Sequence, residues 1–288
     1  MRTSSLFLAA FSVLSVAAQE PAVPDTVLAQ RVHELSQAPT DTLAAVASDR
    51  LKQDLFAALQ AGDGFTRDFS GVPLSRVDAP DGKFRLFTWN IPLADGSHRF
   101  EGLMLVRDRS KTAVVELHDG TAALGTPERS EQGPERWYGA LYYTVVPVKK
   151  GGKTFYTLLG WKGYSKVETR KVVEVLSFKG NAPRFGAELF DALEAKGKPA
   201  RVRKSRLIFG FNFQLSMSLK WDAANARIVC DHLSPSRPDL EGQWPFHGPD
   251  MSYDAYVWEK NHWAYQRDID ARGTGRDGKP WNRPPSEP

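Results

Sequence analysis

The sequence predicts an α+β fold in which an N-terminal helical hairpin precedes a large antiparallel β meander, arranged as a twisted sandwich or an open barrel. Two observations lead to this prediction. Apolar residues recur every three to four positions up to Gly62, as on one face of a helix, and alternate with other residues from Phe84 onward, as in strands. In addition, the strand-like segments follow one another without long helical segments between them, which favours a meander over a βαβ fold.

The first eighteen residues have the pattern of a secretory signal peptide. Arg2 supplies a positive charge, residues 6–16 are apolar, and residues 16–18 offer small side chains for cleavage before Gln19. The apolar run is shorter than the roughly 20 residues of a membrane-spanning helix, so we expect no membrane span. We therefore expect residues 1–18 to be removed and the mature protein to be periplasmic or secreted.

The composition is that of an ordinary globular protein. Hydrophobic residues make up 41% of the chain and charged residues 25%, and the net charge is +4. Basic and acidic residues are interspersed, so no basic block indicates a nucleic-acid partner. The single cysteine, Cys230, excludes an intramolecular disulfide, and its apolar neighbours Ile228 and Val229 predict a small buried side chain.

Residues 19–64 are predicted to form the helical segment. Asp25 is expected to cap a first helix, which Pro39 ends. A second helix follows, and Gly62 is suited to its C-terminal end. The apolar positions of the two helices have helical spacing and are Leu28, Val32 and Leu35, then Leu43, Ala47, Leu51, Leu55 and Leu59. The two helices should therefore dock one apolar stripe on the rest of the protein.

Residues 65–272 are predicted to form the β domain, with roughly eight to ten strands up to about Tyr265. A first hairpin turns at Asp95 and Gly96, and a second turns over residues 149–153. The predicted strands cover residues 84–91, 100–106, 114–117, 138–148, 154–161, 172–178, 207–213, 215–221 and 227–233. One short helix is expected between Pro183 and Gly197, on account of Leu189, Phe190 and Leu193. The polar residues 273–288 are predicted to be a disordered tail.

Several motifs between about Phe65 and Arg272 carry a resemblance to a known group of proteins. They are residues 84–90 (FRLFTWN), 137–143 (WYGALYY), 158–163 (LLGWKG), 228–233 (IVCDHL), 248–254 (GPDMSYD) and 268–270 (DID). On these motifs the chain resembles uncharacterised exported proteins of Bacteroidota, which have no assigned activity. The resemblance implies an envelope or secreted setting and implies no catalytic residues.

No short motif identifies a reaction. The chain lacks a Gly-x-Ser-x-Gly nucleophile elbow and a His-Glu-x-x-His zinc motif, and its paired glycines do not lie between a strand and a helix as a phosphate loop requires. We therefore expect no cofactor and no metal. Carboxylates for glycoside hydrolysis are present, but the separation that this chemistry needs is not visible in a sequence.

One group of polar residues is the best candidate for a functional site. The predicted strand that ends near Leu233 carries two of them, and a segment rich in proline and glycine returns the others beside several aromatic residues. The candidate ligand-binding residues are Asp231, His232, His247, Asp250, Tyr253 and Asp254. Aromatic rings with polar neighbours are suited to stacking on sugar rings and orienting hydroxyl groups.

Two functional hypotheses from different classes remain open. The first is a non-catalytic envelope protein that binds a glycan or another ligand, or that scaffolds a partner. The alternative is an extracytoplasmic hydrolase that uses the His/Asp cluster. A deep cleft where His232 meets His247 and a carboxylate would favour the hydrolase, and a shallow aromatic face would favour binding. The sequence identifies neither the ligand nor the oligomeric state.

Overall fold

The structure is a computed structural model that describes residues 23–108, 111–192 and 203–271. The predicted signal peptide and the predicted tail lie outside these residues. Two helices, α1 (Asp25–Ser36) and α2 (Asp41–Gln60), precede thirteen strands within the described part of the chain. The α+β prediction with a β meander is therefore confirmed.

The strands form three antiparallel sheets, each built almost entirely from consecutive strands. The first sheet has the order β1 (Ser75–Asp78), β2 (Phe84–Pro92), β3 (His98–Asp108) and β4 (Lys111–His118). The second has the order β5 (Leu141–Lys150), β6 (Lys153–Gly163), β7 (Glu168–Lys179) and β8 (Ala182–Phe185), and β9 (Leu207–Asn212) also pairs with β7. The third has the order β10 (Leu219–Asp222), β11 (Arg227–Pro235), β12 (His247–Glu259) and β13 (His262–Gln266).

The sheets stack face to face, and the helices cover the outer face of the first sheet. Alternate residues of a strand point to opposite faces, so Leu86 of β2 packs with Leu158 of the second sheet while Phe87 packs against the helices. In the second sheet, Val172 faces the first sheet and Val173 faces the third. The order of layers is therefore helices, first sheet, second sheet and third sheet.

The helix ends differ from the sequence prediction. Pro24 precedes α1, and Asp25 lies in its first turn, where its carboxylate accepts a hydrogen bond from Arg67 Nε at 3.0 Å instead of capping the helix. Thr40 caps α2 through its hydroxyl. Gly62 does not have a positive φ, and Leu43 is exposed, so α2 buries its apolar stripe only from Ala44 onward.

The prediction of a helix between Pro183 and Gly197 is wrong for the residues that the structure describes. The chain forms β8 there, and Phe190 then makes bridges to Lys204 and Trp263 in extended conformation. Leu189 and Phe190 are buried between the second and third sheets. Their large side chains fill that interface, so tertiary packing overrides the local helical spacing; Leu193 lies outside the described residues.

The strand predicted from Leu215 to Trp221 is shorter than expected. The Asn212 side chain accepts a hydrogen bond from the backbone N–H of Gln214, which turns the chain at the end of β9. Phe213 and Leu215 are consequently exposed, and β10 starts only at Leu219. Residues 215–218 thus form a loop, of which only Met217 is buried in the core.

Candidate functional site

A β-bulge in the third sheet positions His232. Asp231 pairs with Tyr253 and Leu233 pairs with Pro249, so His232 of β11 lies opposite residues 250–252 of β12, and the extra residues of the bulge belong to β12. Such a bulge interrupts the ladder and re-aims the side chains around it. His232 Nδ1 lies 2.7 Å from Asp254 Oδ2, and the imidazole is only partly exposed.

Asp254 is a buried carboxylate whose hydrogen bonds fix the imidazole. Its Oδ2 also accepts a hydrogen bond from the Tyr265 hydroxyl at 2.7 Å, and its Oδ1 accepts one from the Asp268 backbone N–H at 3.0 Å. Burial and the bond to Asp254 raise the pKa of the Tyr265 hydroxyl, so this group stays a donor. Because the ionised carboxylate accepts only, the proton of neutral His232 lies on Nδ1 and its Nε2 carries a lone pair.

Asp250 lies on the other side of the imidazole, with Oδ2 4.0 Å from His232 Nε2. This carboxylate accepts hydrogen bonds from the Ser234 hydroxyl at 2.7 Å and from the Ser252 hydroxyl at 2.7 Å. Burial raises the pKa of the Asp250 carboxyl, but these hydrogen bonds outweigh burial and hold the pKa below its usual value. Asp250 is therefore an anion at neutral pH.

Two further backbone irregularities adjoin the same carboxylates. Met251, next to Asp250, has a φ of 73° and an almost fully exposed side chain. Asp268, whose N–H binds Asp254, has a φ of 53°. Positive φ in residues other than glycine costs free energy and concentrates at functional sites. The bulge and both strained residues thus converge on one hydrogen-bond network.

A cleft of about 450 Å³ adjoins this network. It lies between the turn after β9, the end of β11 and the start of β12, and it contains Ser234 and Asp250 of the network. Its lining residues are Asn212, Gln214, Leu215, Ser234, Pro235, Ser236, Phe246, His247, Gly248, Pro249 and Asp250. Phe246 and the neighbouring Trp244 are exposed. The cleft thus combines aromatic surface with polar groups.

His247 is the most unusual side chain of the cleft. It is only 2% exposed, and neither ring nitrogen has a hydrogen-bond partner among the described residues. Its ring lies beside Trp244, with 4.9 Å between the ring centroids. An unsatisfied buried polar group costs about 1–3 kcal/mol, so such a group in a native protein calls for a specific explanation.

The structure brings some of the six predicted residues together. His232, Asp250 and Asp254 form one network, and His247 shares the cleft with Asp250. Asp231 does not join them, because its carboxylate accepts the backbone N–H of Ser218 at 2.7 Å. Tyr253 lines a different depression beside Met251.

Sequence reasoning missed Ser234, Ser252, Tyr265 and Asp268 as members of the network. Ser252 follows Asp250 by two positions, which is the spacing of an Asx turn, so this residue had a recognisable local signal. Ser234 bonds Asp250 across sixteen positions, and no local pattern indicates that contact. Tyr265 reaches Asp254 from the next strand, and no local pattern indicates that contact.

Comparisons with protein-family models, curated proteins and solved structures find no match for this chain. Within residues 23–108, 111–192 and 203–271, no three His, Cys, Asp or Glu side chains are grouped so that they could hold a metal ion. No helix among the same residues is long and apolar enough to cross a membrane.

Proposed function

We propose that the protein binds a polyhydroxylated ligand, such as an oligosaccharide, in the cleft beside His247. The observation that carries this proposal is the buried imidazole of His247, which lines the cleft without a hydrogen-bond partner in the described structure. Two ligand hydroxyls satisfy both ring nitrogens, because one donates to the unprotonated nitrogen and the other accepts from the protonated nitrogen. Binding then relieves the cost of the unpaired group.

The remaining lining of the cleft supports this class of ligand. Exposed Phe246 offers a ring face for the apolar side of a sugar, and Trp244 extends the aromatic surface. Gln214, Ser236 and Asp250 supply amide, hydroxyl and carboxylate groups that orient hydroxyls. A purely apolar ligand leaves these polar groups unpaired and is therefore disfavoured.

Isothermal titration calorimetry with cello-, malto- and chito-oligosaccharides tests this proposal. We expect one of these series to bind, and we expect His247→Ala and Phe246→Ala each to weaken binding at least tenfold. His33→Ala is the matched control, because His33 is an exposed imidazole on α1, the helical layer at the opposite side of the stack. Absence of binding by every series, or equal affinity in His247→Ala, would contradict the proposal.

We also propose that the protein works outside the cytoplasm, where such ligands are abundant. The support is the signal-peptide pattern of residues 1–18. N-terminal sequencing of the protein from its native host is expected to begin at Gln19. A mature chain that retains Met1 would refute export by this route.

A further inference from the structure

We infer that His232 is the general base of a hydrolytic site that cleaves an acyl ester carried by the bound ligand. This inference rests on the proposed binding function, because the cleft holds the ester beside His232. His232 does not line the cleft, but Ser234 and Asp250 belong to both the cleft and the network. Asp250 Oδ2 lies 4.0 Å from His232 Nε2, so a ligand that contacts Asp250 can place its ester beside Nε2.

The geometry of His232 is that of an oriented base. Asp254 holds Nδ1 at 2.7 Å, and Tyr265 and the Asp268 N–H hold Asp254 in turn. A buried carboxylate that fixes the tautomer and the ring orientation is the arrangement that prepares histidine for proton abstraction. Nε2 remains as the proton acceptor, and the partial exposure of the side chain admits water.

The two carboxylates of the network favour an ester over a glycosidic bond as the bond that the site hydrolyses. Glycoside hydrolysis requires a protonated carboxyl group that donates to the leaving oxygen. Asp250 is held as an anion by its serine hydrogen bonds, and Asp254 accepts three hydrogen bonds. Neither serves as that acid. Ester hydrolysis needs only a base that returns its proton later, and His232 provides this by itself.

The reaction balances with water as the only co-reactant. His232 Nε2 removes a proton from water while the water oxygen forms a bond to the acyl carbon, which gives a tetrahedral intermediate. The bond from that carbon to the alcohol oxygen then breaks, and the alcohol takes the proton from Nε2. The products are a carboxylic acid and the free hydroxyl of the ligand, and no group is oxidised or reduced. Asp250 Oδ2, at 4.0 Å, stabilises the transient imidazolium.

The test uses the full chain and p-nitrophenyl acetate as the ester. His232→Ala is expected to lower the enzymatic rate about 100-fold, the lower end of the effect of general base catalysis. The control is His118→Ala, because His118 is a more exposed imidazole that also faces a carboxylate, Glu135 at 3.6 Å, and it should keep the full rate. Thermal unfolding of each variant verifies that the fold is retained.

Asp254 is a positioning residue in this scheme. Asp254→Asn is expected to lower kcat at least tenfold while KM stays within twofold, because the amide no longer enforces the reactive tautomer. A purely structural role for Asp254 predicts instead a lower unfolding midpoint with an unchanged kcat for the folded fraction, and this result would overturn the assignment.

The failures of the two proposals are distinguishable. If an oligosaccharide binds but wild type and His232→Ala hydrolyse the ester equally fast, the hydrolytic inference is overturned and the binding proposal stands. If hydrolysis depends on His232 but no oligosaccharide binds, the acid–base role is supported and the proposed ligand class is wrong. If neither activity is found, both are overturned.

Discussion

Lys162 shows how one buried cation is accommodated between sheets. Its ammonium donates hydrogen bonds to Thr121 Oγ1 at 2.9 Å and to the backbone carbonyls of Tyr138 and Gly139 at 2.8 and 2.9 Å. It also lies over the Phe100 ring, 4.2 Å from the centroid. All three protons are therefore used within the protein, and the role of Lys162 is structural.

The titration of Lys162 makes stability depend on pH. Burial lowers the pKa of its ammonium from 10.5 to about 8. Between these values the unfolded chain binds more protons than the folded one, so this group makes the protein more stable as the pH rises from 8 to 10.5. The free energy of unfolding of wild type, relative to that of Lys162→Met, should increase over this range in urea titrations. A difference that stays constant with pH would contradict the assignment.

At the scale of residues, some roles could be predicted from the sequence and others could not. His232 and Asp254 were predictable as members of one candidate group. His232 lies near the end of a strand that the apolar alternation predicts, and Asp254 follows the turn-rich segment that returns the chain to that strand end. Burial of Cys230 was predictable from its neighbours, and the structure confirms it. The role of Asp231 was not predictable, since it depends on the loop before β10, which brings the Ser218 backbone N–H to its carboxylate.

At the scale of elements, a buried ion pair ties the second sheet to the preceding loop. Arg206 Nε lies 3.0 Å from Glu174 on β7, and both side chains are fully buried. The Arg206 guanidinium also donates to the Gln132 side chain at 2.9 Å and to the backbone carbonyls of Pro127 and Ser130. Burial raises the pKa of the Glu174 carboxyl, and the adjacent guanidinium acts in the opposite direction.

Removing one member of this ion pair should lower the free energy of unfolding far more than replacing both members by apolar residues. Glu174→Leu or Arg206→Met alone leaves an unpaired buried charge, and each should reduce the free energy of unfolding by about 3–5 kcal/mol. The double variant should lose clearly less than the sum of the two, because no charge remains unpaired. Urea unfolding monitored by tryptophan fluorescence measures all three values. Additive losses would show that the two side chains are not coupled.

The hairpins were the most predictable elements, because their information is local. The Asp95–Gly96 turn places Gly96 at a φ of 81°, which glycine adopts without steric cost, and alternating residues flank it. The false helix near Leu189 and the overlong strand at Leu215 have the opposite origin. There, distant side chains or a turn-forming Asn212 decide the conformation, and local spacing does not contain that information.

At the scale of the whole molecule, the second sheet is the interior layer. Its strand β7 pairs with β6, β8 and β9 and has apolar residues packed on both faces, whereas β10 has only one neighbour in its sheet. Amide protons of β7 should therefore exchange only through global unfolding, and those of β10 through local opening. Hydrogen–deuterium exchange with mass spectrometry is expected to show the slowest exchange in peptides from residues 168–179. Faster exchange there than in residues 219–222 would contradict the layer order.

The stacking of the sheets was beyond the reach of the sequence. Strands such as β2 have apolar residues on both faces, as Leu86 and Phe87 show. This pattern indicates burial on both sides but does not identify the layer that packs on each side. A sandwich and a barrel both satisfy it. The choice depends on which faces are complementary in shape, and this is a property of whole surfaces.

The sequential construction of the three sheets has a consequence for the order of folding. Because each sheet draws its strands from one continuous stretch of chain, the helices and the first sheet can form before β10 is available. The layers can then be added in the order in which the chain emerges after the proposed export, each on a finished surface. The third sheet, which carries the candidate site, is the last layer in this order.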